Sequence, residues 1–332
     1  MTQLQSSNHG GMGAADPVYA IDIGGSFMKF AASPEPGTVR ILDRVETPVG
    51  SWPDFLATVS SLIVRHVPSD HRNAALALSI AGLIDPKNGA ATSANIPCIT
   101  GRHLANELEI ALGRPVFAAN DADCFTLAEA NEGVGRGHPV VFCAIMGTGI
   151  GGGLAINGRL IRGAGGVTGE WGHGPALNTT VDFGAGDTVF IPRFACGCGQ
   201  SGCVDTIGGA RGMERLHQFL HGSKSTSHEI LDAWSGGDPA ADRTMTAYLQ
   251  LVADPLSLVV NITGASIVPV GGGLASEPKL IAALDAAVRK RVLNRFDHPI
   301  VIPAIRQDDG GLVGAAVLAR QGRVEGHNEG AA

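Results

Sequence analysis

The chain has 332 residues, 44% of them hydrophobic and 17% charged, which excludes a disordered or highly solvated chain and gives room for two domains of ordinary size. Its 24 basic and 31 acidic residues leave a formal net charge of −7, so no bulk electrostatic grip on nucleic acid is expected. No uninterrupted apolar run reaches the ~18 residues of a membrane helix, and residues 1–16 have neither a basic start nor an apolar stretch. These residues are expected to form a flexible leader, and the protein is expected to reside in the reducing cytoplasm away from membranes.

In chain order, the first structured segment is Val18–Ala32, two β-rich runs joined by a glycine turn, which predicts a hairpin. Asp22 precedes Gly24, Gly25 and Ser26 at that turn. A strand-end carboxylate can hold hydrated Mg²⁺ and the turn amides can meet phosphate oxygens; an ordinary hairpin turn would look the same. Phe55–His66 has apolar residues at helical spacing, Ala74–Ile80 and Pro115–Ala119 are short apolar strands, and Asp121–Asn131 reads as a helix. Strands alternating with helices predict an α/β class. Asn120 and Asp121 stand where strand becomes helix, suited to a general base with a hydroxyl holder, or to a helix cap by Asp121.

The opening pattern returns over Pro139–Asn157, again strand, glycine turn, strand, which suggests a duplicated architecture. Gly147, Thr148 and Gly149 lie in this second turn. A dinucleotide fingerprint needs a helix after the glycines, so a second phosphate loop or a plain tight turn fits better. Glu170 and His173 follow, three residues apart, and then Cys196, Cys198 and Cys203 with glycines between them. One His and three Cys make a closed Cys₃His zinc set, and cysteines two apart do not easily form a disulfide. The scattered Cys98, Cys124 and Cys143 read as small core residues. Residues 187–194 and 222–238 read as loops. A third glycine turn, Gly271, Gly272, Gly273 and Leu274, ends another apolar strand; helices are expected over Lys279–Leu293 and Gly314–Arg320.

Taken in order, Asp22–Ser26, Ser93–Pro97, Asn120–Phe125, Gly147–Gly153, Gly169–His173, Cys196–Cys203 and Gly271–Leu274 resemble the ROK family of sugar kinases and sugar-responsive repressors, across residues 18–318. The 22-residue spacer Gly174–Ala195 and the string Asn120–Glu129 are similar to the family's bacterial N-acetylglucosamine kinase branch. The resemblance implies an actin-like ATPase (RNase H-like) fold with two α/β domains around a cleft. Residues 17–119 plus roughly 308–322 would form the smaller domain, and residues 120–307 the larger one with the zinc loop.

The implied activity is ATP-dependent phosphorylation of the 6-hydroxyl of an N-acetylated hexosamine, N-acetylglucosamine first, with glucose or N-acetylmannosamine as alternatives. Asp121 would be the base. Ser79, Asn95, Asn120, Asp121, Glu170, His173 and Asp205 would meet the sugar, and His173 would also hold Zn²⁺ with Cys196, Cys198 and Cys203. Asp22, Gly24, Gly25, Ser26, Lys29, Gly147, Thr148 and Gly149 would meet Mg²⁺ and the ATP phosphates, and Gly271–Leu274 the adenosine. Two departures stand out. Asp205 occupies a position where the family usually has Glu, which bears on sugar choice, and Ser26 replaces the commoner Thr. A homodimer without nucleic acid is expected. A repressor would carry a DNA-binding domain ahead of the kinase-like part, and a non-catalytic sugar sensor is the more distant reading.

Overall fold

The computed structural model describes residues 17–329, so the expected leader lies outside the described residues. The first sheet is built from β1 (Val18–Ile23), β2 (Phe27–Ser33) and β3 (Arg40–Glu46), followed by α1 (Trp52–His66) and β4 (Leu76–Ile80). A small hairpin of β5 (Leu83–Ile84) and β6 (Ala91–Thr92) precedes α2 (Leu104–Leu112) and β7 (Val116–Asn120). Strand order is β3-β2-β1-β4-β7, antiparallel through β1 and parallel from β1 to β7. Helix α1 starts where the Ser51 side chain accepts from the Asp54 amide, with proline in its first turn. Its Phe55, Val59 and Leu62, with Leu104 and Leu108 of α2, cover one face of the sheet.

The second sheet repeats this plan. Helix α3 (Asp121–Glu132) leads into β8 (Val140–Met146), β9 (Ile150–Ile156) and β10 (Arg159–Leu160). An excursion holds β11 (Thr180–Asp182), β12 (Thr188–Phe190), α4 (Asp205–Gly208), α5 (Ala210–His221), α6 (Ser227–Ser235) and α7 (Pro239–Thr263). Then come β13 (Val268–Gly271), α8 (Pro278–Arg289), β14 (Val301–Pro303) and α9 (Gly310–Glu329). The order β10-β9-β8-β13-β14 is antiparallel through β8 and parallel beyond it, matching the first sheet strand for strand.

Two helices join the sheets. Helix α9 lies on the alanine-lined face of the first sheet, α3 lies on β8 and β9, and the two helices pack against each other. They cross closely: a Cβ at Gly314 would run into the Cys124 carbonyl. Buried Glu129 of α3 accepts from the Arg306 amide at 2.6 Å, which fixes the approach to α9.

Several expectations change. Residues 222–238 are not a loop, because Thr226 and Glu229 form a reciprocal capping box that starts α6. Residues 187–194 include β12, paired with β11. The last helix begins at Gly310, and α8 ends at Arg289. Helix α7 is long and apolar enough to cross a membrane by composition, although its sequence includes Asp254. It is instead a core helix, packed against α4, α5, α6, α8 and β8.

Candidate active site

The register of the first sheet puts Lys29, Asp22 and Ser79 in one row across β2, β1 and β4. Ser79 is fully buried and its hydroxyl donates to Asp22 Oδ1 at 2.8 Å. Ser79 therefore supports the carboxylate, and the expected direct contact with a sugar does not match its burial. The start of α9 packs on the same pair, with Gly311 leaving room for Asp22. The first glycine turn is pinned by Thr47, which donates to the Gly24 carbonyl at 2.7 Å; Gly24 is half-buried, and Gly25 and Ser26 stay exposed. Asn95 lies against this turn, 3.2 Å from where a Gly25 Cβ would stand. Its loop is shaped by Ser93, which donates to the Ala81 carbonyl and accepts from the Ile96 amide.

At the β7–α3 junction the helix cap is Asn120, not Asp121. The Asn120 Oδ1 accepts from Ala122 and Asp123, and its Nδ2 donates to the Gly82 carbonyl at 2.8 Å. This leaves one amide hydrogen for a ligand. Asp121 accepts from the Ala122 amide at 2.8 Å and is exposed to the cleft. Protein nonetheless crowds it on several sides. That desolvation, with the Asp22 carboxylate nearby, raises its carboxyl above the ordinary range against the pull of the Ala122 bond. Asp123, which sequence reasoning passed over, is pushed up to about 7 by burial and by Asp121 and Glu170, with Arg162 opposing.

The second glycine turn, Gly147–Gly149, sits between β8 and β9. The Glu170–His173 segment is anchored beside β9 by the Trp171 indole, which donates to the Gly151 carbonyl at 2.7 Å. His173 Nε2 lies 3.8 Å from Glu170 Oε2, and its Nδ1 lies 3.7 Å from Cys196 Sγ. One ring nitrogen thus faces the carboxylate and the other faces the cysteines. Cys198 and Cys203 are 3.6 Å apart, and the four donor atoms all lie within 4.8 Å of one another. Tetrahedral zinc with Zn–S of ~2.3 Å separates sulfurs by ~3.8 Å, so this set fits one ion. The Gln200 amide brings the Cys198 thiol down to about 7, while burial pushes Cys196 up to about 11. Asp205 is turned to the glycine turn: its Oδ1 accepts from the Ile150 amide at 2.8 Å.

The third turn touches the second, with Gly272 packed on the Met146–Gly147 backbone. Beside both opens a cavity of about 300 Å³, lined by Thr148, Ser227, His228, Leu231, Leu274 and Glu277 among others. Three of these come from α6, which sequence reading took for a loop. The capping-box pair Thr226 and Glu229 was the available signal. Arg211 of α5 was missed as well; it borders a second cavity of about 200 Å³ with Thr148, Gly149, Cys196 and Asp205.

Two sheets of identical strand plan, each with a glycine turn between a pair of antiparallel strands, are the architecture of the actin-like ATPase class. The chain belongs to the ROK family, whose pattern matches residues 18–322. It is 32% identical over 300 residues to an N-acetyl-D-glucosamine kinase of Pasteurella multocida, covering 90% of this chain and 98% of that one. Its structure resembles a ROK hexokinase of Thermus thermophilus with a TM-score of 0.76 and 27% identity, over 93% of this chain and 99% of the other. A ROK family glucokinase of Streptomyces griseus, in complex with glucose and AMPPNP, superposes with a TM-score of 0.67 and 26% identity, over 92% and 99%.

Proposed function

We propose that the protein is an ATP-dependent sugar kinase that phosphorylates the 6-hydroxyl of an N-acetylated hexosamine, N-acetylglucosamine first. The observation that carries this reading is Asp121, a carboxylate open to the cleft, held at the start of α3 and raised in pKa by its surroundings. A general base works best with a pKa moved toward the working pH, and this one is moved in that direction. Asp121 orients the sugar hydroxyl and takes its proton as that oxygen attacks the terminal phosphorus of ATP. Phosphoryl transfer needs mainly positioning and charge neutralisation. The amides of Gly25 and Ser26 and of Thr148 and Gly149, with the Thr148 hydroxyl, suit the phosphates, while the Gly24 and Gly147 amides close their own turns by donating to the Phe27 and Gly149 carbonyls; Asp22, steadied by Ser79, suits the Mg²⁺ that accompanies ATP and offsets its charge.

Zn²⁺ is the metal that the Cys₃His donor set favours, and four protein ligands make it structural. His173 would bind it through Nδ1 and keep Nε2 for a sugar hydroxyl, so the metal fixes the ring's tautomer and aim. Glu170 beside it can accept two hydroxyl hydrogens at once. The Pasteurella relative supports the amino sugar, while the glucose complex of the Streptomyces protein supports glucose as a second reading. A cytoplasmic homodimer belongs to the same proposal, and sedimentation of the purified protein tests the assembly. Incubation with ATP, Mg²⁺ and N-acetylglucosamine should yield ADP and the 6-phosphate, identified by ³¹P NMR. No product, or phosphate on another hydroxyl, contradicts the reading.

A further inference from the structure

The carboxylate of Asp205, expected to meet a sugar, is engaged with the second glycine turn. Its Oδ1 accepts from the Ile150 amide at the end of the second glycine turn, 2.8 Å away. Space for that oxygen exists only because residue 149 is glycine: a Cβ there would overlap the carboxylate. The other oxygen lies 3.8 Å from Cys196 Sγ. Asp205 is two residues past Cys203, and its own amide donates to the Gly172 carbonyl at 2.9 Å, next to His173. Five residues later the Ala210 amide donates to the Gly147 carbonyl at 2.8 Å. The turn is therefore gripped at both ends by the segment that leaves the cysteine cluster. The cavity beside Asp205 is shared with Thr148 and Arg211, a hydroxyl and a cation suited to phosphate.

We infer that Asp205 is a positioning residue for the nucleotide and not a sugar ligand: it holds the second glycine turn in its phosphate-binding shape and couples that turn to the metal-holding cysteines. The inference rests on the kinase reading. A side chain one methylene shorter than Glu keeps the carboxylate over the turn, where it forms a charge-assisted bond to a backbone amide. Order in the cysteine loop then reaches the phosphates of ATP through a single carboxylate.

The test measures binding of Mg²⁺–AMPPNP and of N-acetylglucosamine by calorimetry. The proteins are wild type, Asp205→Ala and Asp205→Asn, each with its metal content measured. Asp205→Ala should weaken AMPPNP about tenfold, the scale of one charge-assisted hydrogen bond, and leave N-acetylglucosamine within about twofold. Asp205→Asn should fall between, because its amide oxygen can still accept from Ile150. In turnover, KM for ATP should rise while KM for the sugar holds. Stripping the metal with a chelator should weaken AMPPNP in wild type and do so less in Asp205→Ala, since the coupling is already cut. Should Asp205→Ala fail to fold, Asp205→Asn carries the same comparison with a loss of about threefold. Loss of sugar binding with AMPPNP unchanged overturns the inference, as does equal loss of both ligands or an equal effect of metal removal in both proteins. A wild-type protein that binds the sugar but no AMPPNP overturns the kinase reading itself.

Discussion

Asp121 and Asp123 lie two residues apart on the first turn of α3 and do different work. Asp121 faces the cleft as base, so Asp121→Asn should lower kcat by about 10²–10⁴ while the sugar and nucleotide affinities stay close to wild type. Steady-state kinetics with binding measured separately checks this, and turnover near wild type would remove the proposed mechanism. Asp123 leaves its mark on stability. Its carboxyl is raised from the ordinary value of 3.8 to about 7, chiefly by burial, so between those values the folded protein holds a proton that the unfolded chain releases. Stability from this group is therefore full at low pH and declines as pH rises from about 4 to about 7. Asp123→Asn should flatten that decline and give a higher Tm than wild type at pH 8, read by thermal melts across the range. These roles were only half legible in the sequence. The pair Asn120-Asp121 marked the right turn, but which residue caps and which reacts depends on where Gly82 and Asp22 lie in space. Ser79 bonding to Asp22 and Asp205 bonding to Ile150 are likewise contacts across 57 and 55 residues, invisible to any local pattern.

Helix α1 follows from apolar periodicity, and the strands of both hairpins from short β-rich apolar runs ended by glycine turns; α3 buries every residue from Cys124 to Ala130 and carries no such period. Helix α7 buries residues around much of its circumference, including Met245, Tyr248, Leu251 and Leu256, and it carries Pro255, so its pattern is blurred. Helix α6 hides behind a polar lead-in, although its capping box was present. Thr226→Ala should destabilise the protein by about 1 kcal/mol, the usual worth of such a cap, and, if the cavity that α6 lines beside the second and third glycine turns takes the nucleotide, weaken AMPPNP. Denaturant melts with and without AMPPNP would show both effects, and no change in either would deny α6 that role. The crossing of α3 and α9 gives a second prediction. Gly314→Ala puts a methyl against the Cys124 carbonyl, so a loss of about 1–3 kcal/mol is expected in the same melts.

At the scale of the whole molecule, two sheets of the same strand plan are joined through α3 and α9, the third glycine turn packs on the second, and Asp121 at the start of α3 stands close enough to Asp22 of the first sheet to feel its charge. The fold class and its internal repeat were legible because each glycine turn interrupts two β-rich runs in the same way. The helices of the excursion were not, because α4 and α6 are short and α7 buries residues around much of its circumference. Such an architecture is suited to closing on its ligands, and small-angle scattering should record a more compact particle when sugar and AMPPNP are both bound. ATP consumption, coupled to ADP detection, should be measured for N-acetylglucosamine, N-acetylmannosamine, glucosamine, glucose, mannose and fructose with folded, metal-loaded protein. Turnover should be led by N-acetylglucosamine and fall by about 10²–10⁴ in Asp121→Asn; turnover led by glucose would keep the chemistry and overturn the amino-sugar assignment, and silence across the whole panel would contradict the kinase.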